Sequence, residues 1–386
     1  MAKRFRRAPH LLAVVGTRPE AIKMFPVLRA LRERDAALGI SVCSSGQHAE
    51  LLDDALATFG LSADYDLASM RHDQQPADVA WEIARWVTDL CHRIRPDVVL
   101  VQGDTATTMA GALAAFYAST KVAHVEAGLR THDNYAPWPE EANRRIVGAV
   151  ADLHFAPSEL AAENLLQEGV AAERVYVTGN TGIDALHWAL AQPRALPAPR
   201  DGRRRVVVTA HRRESIPDGV EAIVRAVGRL AEIYPDVLFQ FVVHPAPAIA
   251  RAAKASLGVN GPRNLELLPP RRYVQFVQML SDSFMIITDS GGLQEEGPAL
   301  GKPVLVVSER TERQEPLAAG AARIVGADES AIVDAAARLL DDPAHHARMA
   351  TPRDLYGDGQ AGERIAAVLA RVLSPDDRAS REPALG

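Results

Sequence analysis

Residues 96–128 read PDVVLVQGDTATTMAGALAAFYASTKVAHVEAG, and their apolar pattern decides the fold. Two continuous apolar runs, Val98–Gln102 and Val122–Glu126, stand on either side of the helical stretch Ala106–Ala118. A continuous apolar run is typical of a strand that is buried on both faces, and a helix between two such strands lets them pair in parallel. The stretch therefore predicts one strand–helix–strand unit of a parallel sheet that is covered by helices on both faces.

The same alternation continues on both sides of this stretch. Further apolar runs are Leu11–Val15, Ile40–Ser44, Val175–Thr178, Val206–Thr209, Leu238–Val243, Phe284–Thr288 and Val304–Val307, and further helical stretches are Ile22–Arg34, Val79–Arg95, Val220–Tyr234, Ala331–Leu340 and Glu363–Leu373. The alternation pauses at the proline-rich segment Ala191–Arg205, which we interpret as a linker. The sequence thus predicts an α/β protein of two Rossmann-like, doubly wound parallel-sheet domains, residues 1–192 and 204–356, that face a ligand cleft.

The composition excludes several classes of function. The 386 residues carry a formal net charge of -6, which argues against a nucleic-acid partner, and no apolar stretch is long enough to span a bilayer. The basic amino terminus is followed by an apolar run, Leu11–Val15, that is too short for a secretory signal. Cys43 and Cys91 show no spacing typical of metal or redox sites. We therefore expect a cytoplasmic protein without a membrane partner, a metal or a cofactor.

The segment Gly16–Lys23 follows the first apolar run and opens the first helix. Pro19 suits the first helical turn, backbone amides there would point at an anion, and Arg18 and Lys23 add positive charge nearby. The segment is not a G-x-G-x-x-G fingerprint, so nothing indicates a dinucleotide. An ordinary strand–helix turn with surface charges is the alternative interpretation.

Three carboxylates follow predicted strands or open a predicted helix. Asp104 comes after one strand, Glu126 ends the next, and Glu140 begins a helix after the rigid segment Pro137–Pro139. Asp104 could instead be a helix N-cap, and Glu141, beside Glu140, could serve only the helix macrodipole. Burial of Glu126 without a role would be costly. Such a cluster would suit proton transfer at two faces of one carbon.

Two segments of the second half indicate an anion site. The segment His211–Glu214 places a histidine and two arginines at the end of an apolar run, although a surface cluster is the alternative. The segment Thr288–Glu296 runs from a strand through Ser290-Gly291-Gly292 into a helix. Small residues let backbone amides approach a phosphate closely, whereas a plain glycine turn is the alternative.

Together these segments resemble the non-hydrolysing UDP-N-acetylglucosamine 2-epimerases, whose fold is of the GT-B glycosyltransferase type. The words that carry the resemblance occur in order between Leu11 and Asp341: GTRPEAIKM, GDT, HVEAGLRT, PWPEEANR, HRRE, TDSGGLQEE and TER. The resemblance implies C2 inversion of UDP-N-acetylglucosamine through anti elimination of UDP, without cofactor or metal, in a homodimer whose final helix, 362–374, packs back on the first domain. Its product would serve cell-surface polysaccharide synthesis.

The resemblance also implies roles for individual residues. The catalytic residues would be Asp104, Glu126, Glu140 and His211. The residues that bind the UDP-sugar would be Arg18, Lys23, His211, Arg271, Phe276, Ser290, Gly291, Gly292, Glu296 and Arg313. Phe276 and Arg271 would hold uracil, the Ser290–Gly292 turn and Glu296 would hold diphosphate and ribose, and Arg313 would reach the diphosphate on closure.

One departure concerns regulation. Many bacterial relatives bind a second UDP-N-acetylglucosamine as an activator, and Gln47, His48, Arg212 and His244 of this chain match that site. Glu50 and Asp73, however, stand where relatives often carry glutamine and arginine. Two added carboxylates would repel a diphosphate, so we expect this activation to be lost or altered.

Other functions fit the same scaffold less well. An epimerase for a modified UDP-sugar, or a hydrolysing relative that releases N-acetylmannosamine, would differ in the residues that face the sugar. A glycosyltransferase would need an acceptor groove, which the sequence does not identify. A silent sugar-nucleotide-binding module would not need Asp104, Glu126, Glu140 and His211 together.

Overall fold

The computed structural model describes residues 8–46, 49–67, 76–210, 218–243 and 261–374. The chain forms two compact units, one containing the residues up to Ala185 and those from Tyr356 onward, the other spanning Leu186–Leu355. The boundary between Ala185 and Leu186 falls inside a helix, just before the proline-rich segment.

A seven-stranded sheet forms the centre of the first unit. Its strands are β1 (His10–Val15), β2 (Gly39–Ser44), β3 (Tyr65–Asp66), β4 (Val98–Gln102), β5 (Lys121–Val125), β6 (Leu153–Ala156) and β7 (Val175–Val177). Their order is β3-β2-β1-β4-β5-β6-β7, and each neighbouring pair is parallel. The strand order reverses between β1 and β4, which is where ligands bind in open sheets of this kind. The turns after β1 and β4 are therefore neighbours.

A six-stranded sheet forms the centre of the second unit. Its strands are β8 (Arg205–Ala210), β9 (Leu238–Val243), β10 (Leu265–Leu268), β11 (Met285–Thr288), β12 (Val304–Val306) and β13 (Ala322–Ile324). They are parallel in the order β10-β9-β8-β11-β12-β13, so the order reverses between β8 and β11. The segment after β11 is the predicted Ser290–Gly292 turn.

Helices connect the strands throughout the described residues. They are α1 (Arg18–Arg34), α2 (Ala49–Thr58), α3 (Pro76–Ile94), α4 (Ala106–Tyr117), α5 (Glu140–Val150), α6 (Glu159–Gln167), α7 (Thr181–Leu190), α8 (Asp218–Ile233), α9 (Tyr273–Ser281), α10 (Leu293–Ala299), α11 (Glu315–Ala318), α12 (Glu329–Asp341), α13 (Pro343–Met349) and α14 (Ala361–Val372). A 3-10 turn, Ala172–Arg174, precedes β7. None of the helices in these described ranges is long and apolar enough to cross a membrane.

Both faces of the second sheet are buried, as its apolar strands require. Val206 and Val208 of β8 belong to a core with α8 and α12, whereas Val207 belongs to a separate core on the opposite face. Alternate residues of one strand thus contribute to two cores, which explains why the run is apolar at every position.

The final helix, α14, packs on the first helix of the chain. A side chain at Gly362 would lie 2.7 Å from the carbonyl carbon of Pro26, so the close approach of α14 to α1 requires a glycine there. The Asp184 carboxylate accepts hydrogen bonds from the amides of Ala361 and Gly362 at 3.1 and 2.8 Å and so caps α14. Arg34 and Glu363 form an exposed ion pair between the two helices.

The predicted fold class, two parallel-sheet α/β domains, is confirmed. The sequence pattern did not predict four of the strands, namely β3, β6, β10 and β13, which are only two to four residues long. Two or three apolar residues are too few to be recognised as a strand in the sequence. In the structure, these four strands are recognised by their hydrogen-bonded pairing with a neighbouring strand.

Candidate active site

The turn after β1 packs tightly against the segments that follow β2 and β4. A side chain at Gly16 would lie 2.1 Å from Thr107 Oγ1 and 2.4 Å from Ser45 Oγ, so only glycine fits. The buried carboxylate of Glu20, in the first turn of α1, accepts hydrogen bonds from the amides of Gly16 and Thr17 at 2.9 and 2.6 Å. The GTRPE word therefore forms a fixed turn that presents Arg18 at the start of α1.

Asp104 is not the N-cap of α4, contrary to the alternative interpretation of its position. Thr105 is the N-cap, because its hydroxyl accepts a hydrogen bond from the amide of Thr108 at 3.1 Å. The Asp104 carboxylate instead accepts a 2.6 Å hydrogen bond from the buried guanidinium of Arg144, and Asn143 donates to the Asp104 carbonyl at 2.8 Å. Two residues of α5 thus hold Asp104 at the edge of the sheet where ligands are expected.

Glu126 has the geometry of a strained functional residue. It follows β5 with a φ of 67°, in the left-handed region that residues other than glycine rarely adopt. Its buried carboxylate accepts hydrogen bonds from the Lys23 ammonium and, at 2.9 Å, from Asn180 Nδ2. Glu126 is thus a buried, oriented carboxylate.

Asn180 is a site residue that the sequence analysis missed. Its Oδ1 accepts from the amide of Gly182 at 3.0 Å, so its amide nitrogen must face Glu126. Its own backbone amide donates to the carbonyl of Tyr356 at 2.7 Å. The residues that return the chain to the first unit therefore also orient the donor to Glu126.

Glu140 and Glu141 have different environments at the start of α5. Glu140 is partly buried and begins the helix. Glu141 lies in the first turn, as the macrodipole interpretation requires, but it is also fully buried and accepts hydrogen bonds from the amides of Thr131 and His132 and from Arg144. Burial raises the pKa of Glu141, but these donors outweigh burial and hold the pKa below its usual range.

Two buried histidines pair across β5 and β6. His124 Nε2 donates to the carbonyl of Gly103 at 2.7 Å, and His154 Nε2 donates to the carbonyl of Ala151 at 3.1 Å. Burial lowers the pKa of each ring to about 4, so both rings are neutral at pH 7. The His124 bond supports the residue that precedes Asp104.

We expect these histidines to make the protein acid-sensitive. Unfolded histidine titrates near pH 6.5, so between about pH 6.5 and 4 only the unfolded state takes up these protons and stability is lost as the pH falls. Each ring should contribute up to about 1.4 kcal/mol per pH unit. Thermal unfolding of the wild type and the His124→Asn variant across this range should show a flatter dependence for the variant; parallel curves would contradict the expectation.

The turn after β11 contains the predicted phosphate-binding residues. Thr288 Oγ1 accepts from the amide of Ser290 at 2.9 Å, and a side chain at Gly291 would lie 2.6 Å from Arg313 Nη1. The buried guanidinium of Arg313 donates to Glu295 at 2.8 Å and to Glu312. Arg313 therefore packs against the turn at Gly291, and its guanidinium is paired with two buried carboxylates.

The remaining predicted ligand residues lie on or beside α9 and α10. The Tyr273 hydroxyl donates to Glu296 at 3.2 Å, Phe276 is partly buried against the core that contains Val207, and Arg271 lies two residues before the start of α9. His211 lies outside the described residues, as do Gln47, His48, Asp73, Arg212 and His244 of the predicted activator site. Within the described ranges, no group of three or more acidic, histidine or cysteine side chains could hold a metal ion.

Comparisons with known proteins identify the family of the chain. A family model described as UDP-N-acetylglucosamine 2-epimerase matches residues 29–370. The UDP-N-acetylglucosamine 2-epimerase of Escherichia coli strain K12 is 43% identical over 370 residues, which cover 93% of this chain and 98% of that relative. The crystal structure of the Neisseria meningitidis enzyme bound to UDP-GlcNAc has a TM-score of 0.90 and 40% identity, covering 94% of this chain and all of that one. That of the Methanocaldococcus jannaschii enzyme with UDP-GlcNAc and UDP has a TM-score of 0.82 and 29% identity, covering 94% and 99%. The chain belongs to the UDP-N-acetylglucosamine 2-epimerase family.

Proposed function

We propose that this enzyme interconverts UDP-N-acetylglucosamine and UDP-N-acetylmannosamine by inversion at C2. The observation that carries the proposal is Glu126, a buried carboxylate in a strained backbone conformation that is held by Lys23 and Asn180. Family membership supplies the substrate, because solved relatives are described as bound to UDP-GlcNAc. A binding module would not need an oriented carboxylate of this kind.

The reaction begins with loss of UDP. No carbonyl acidifies the C2 proton, so cleavage of the C1–O bond leads and the electron pair leaves with the β-phosphate oxygen. One carboxylate takes the C2 proton, and a 2-acetamidoglucal forms. A second carboxylate, protonated from solvent, then delivers a proton to the opposite face of C2, and the UDP oxygen adds back to C1 to give the epimer. The first carboxylate returns its proton to solvent. The overall reaction therefore consumes no oxidant and no cofactor.

Asp104, Glu126 and Glu140 are the proposed acid and base residues. Their environments differ, as two-faced proton transfer requires: Glu126 is held by a lysine and an amide, and Asp104 by a buried arginine. Glu140 lies on α5, the helix whose Arg144 contacts Asp104. Arg18, Lys23 and His211 would supply positive charge as UDP departs.

The second unit would hold UDP. Amides of Ser290, Gly291 and Gly292 would bind the diphosphate, Glu296 the ribose, and Arg271 with Phe276 the uracil. Arg313, whose guanidinium also donates to Glu295 and Glu312, would contact the diphosphate on closure. We also infer, from the family resemblance alone, a cytoplasmic homodimer that serves polysaccharide synthesis.

Incubation of the purified chain with UDP-N-acetylglucosamine in deuterium oxide tests this function. We expect deuterium at C2 of both isomers and appearance of the manno isomer, followed by nuclear magnetic resonance. Free N-acetylmannosamine with UDP would show a hydrolysing enzyme instead. An unchanged substrate spectrum would reject the proposal, and turnover of only a modified UDP-sugar would reject the substrate.

A further inference from the structure

Glu20 connects the turns that follow β1 and β4. Its Oε2 accepts from the amides of Gly16 and Thr17, as described above. Its Oε1 lies 2.7 Å from Thr105 Oγ1 and 2.9 Å from Thr108 Oγ1. One carboxyl group therefore joins the turn before Arg18 to the helix start that follows Asp104.

If Glu20 were ionised, the hydroxyl groups around its Oε1 would have too few protons to place one in every short oxygen–oxygen contact. Thr108 Oγ1 also lies 2.6 Å from the carbonyl oxygen of Gln102, which can only accept. The Thr105 and Thr108 hydroxyls also lie 3.0 Å from each other, so four short oxygen–oxygen contacts involve these two hydroxyls, which supply only two protons. If Thr108 donates to the carbonyl of Gln102, lone pairs of Thr108 and Glu20 face each other. A proton on Glu20 fills one of the contacts that remain, because the acid then donates to Thr108 Oγ1.

We propose that Glu20 is held as the neutral acid at neutral pH and that it is a positioning residue that fixes Arg18 relative to Asp104 for the proposed reaction. The kinetic part of this inference rests on the proposed function, whereas the protonation part does not. Glu20 is buried and would act through the two turns, without touching the substrate.

The surroundings of Glu20 agree with a neutral acid. Burial raises the pKa of Glu20, and the interactions that oppose burial are hydrogen bonds from neutral donors. The charged side chains on the adjoining segments are Arg18 and Lys23 of α1 and Asp104 of the turn after β4. Lys23 is bonded to Glu126 and Asp104 to Arg144. The first two turns of α4 carry no charged side chain.

The Glu20→Gln variant tests the protonation. Its amide supplies two protons where the acid supplies one, so every contact at Thr105 and Thr108 can be filled without titration. A raised pKa means that the folded wild type keeps a proton that the unfolded chain loses near pH 4.3, so wild-type stability falls as the pH rises from there to the folded pKa. The melting temperature of the variant minus that of the wild type should increase with pH by about 3–5 °C per unit.

A matched control removes an exposed carboxylate from the same helix. Glu33 pairs with Arg29 on the solvent side of α1, so the difference between Glu33→Gln and the wild type should not change with pH over this range. A difference for Glu20→Gln that is constant with pH, or that stops growing below pH 7, would overturn the neutral acid.

Kinetics test the positioning role. Glu20→Ala and Glu20→Asp should lower kcat about 10–100-fold because they release or shorten the connection between the two turns. Glu20→Gln should stay within threefold of the wild type, measured below each melting temperature. Wild-type kcat in Glu20→Ala, or equal losses in Glu20→Gln and Glu20→Ala, would overturn the role. If the wild type lacks epimerase activity, the proposed function fails, while the melting curves still decide the protonation.

Discussion

Replacement of Glu126 by glutamine is expected to lower kcat for epimerisation by about 10²–10⁴-fold. Glutamine keeps the size of the side chain and can still accept a hydrogen bond from Asn180, but it cannot take a proton from C2. The backbone at Glu126 has a φ of 67°, and this conformation sets the position of the carboxylate. We therefore expect no neighbouring residue to replace it. Steady-state assays and C2 deuterium exchange measure the loss.

Binding and stability separate a chemical role from a structural one. Most of the residues proposed to bind UDP lie between Arg271 and Arg313, in the other unit, and Arg18 and Lys23 keep their charges in the variant, so the affinity for UDP should change less than threefold. Removal of the carboxylate charge takes one anionic partner from the Lys23 ammonium, whose side chain is only 12% exposed, so some loss of stability is expected as well. Activity is therefore compared below the melting temperature of each variant.

Glu163→Gln is the matched control, because Glu163 is an exposed carboxylate of the same unit on α6. This control should keep wild-type kcat and stability. A Glu126→Gln enzyme that retains a tenth or more of wild-type kcat would show that another group moves the C2 proton.

The fold was predictable because its central strands are buried on both faces. Val206, Val207 and Val208 serve two cores, so the sequence had to be apolar at consecutive positions, and such runs identify parallel strands. The pattern did not identify β6, because this strand has only four residues and one of them is His154. The buried, neutral ring of His154 donates a hydrogen bond to the carbonyl of Ala151. The sequence alone does not reveal that this polar side chain is satisfied.

The candidate site was predictable only in part, for a similar reason. Asp104 and Glu126 follow recognisable strands, and the carboxyl ends of parallel strands meet at one edge of a sheet. Glu20 and Asn180 take their significance from partners far away in the chain, namely Thr105 and Glu126. Local spacing contains no information about such contacts.

Replacement of Arg144 by methionine is expected to destabilise the first unit by about 3–5 kcal/mol. The Arg144 guanidinium is buried between Asp104, at 2.6 Å, and Glu141, at 2.9 Å. Methionine fills most of the same volume but leaves the fully buried Glu141 carboxylate with only the amides of Thr131 and His132 and its long contact to Arg145. The melting temperature should fall by roughly 6–20 °C.

Arg145→Met provides a matched control on the same helix. Arg145 is the next residue, also faces Glu141, at 3.5 Å, and its side chain is 40% exposed. Exposed ion pairs contribute little, so this variant should lose less than about 1 kcal/mol. Equal losses in the two arginine variants would show that burial of Arg144 is not what makes the contact important.

A double-mutant cycle identifies the cause of the loss at Arg144. If an uncompensated Glu141 charge dominates, Glu141→Gln should be less harmful in the Arg144→Met background than in the wild type, with a coupling of about 1–3 kcal/mol. Asn143 still donates to the Asp104 carbonyl in every variant. If kcat, measured below the melting temperature, also falls in Arg144→Met, the loss is attributed to the missing hydrogen bond between Arg144 and the Asp104 carboxylate. Additive losses in the cycle would show that the Glu141 charge does not cause the loss of stability and that lost packing around Arg144 does. Any loss of kcat would then be a separate effect, due to the orientation of Asp104.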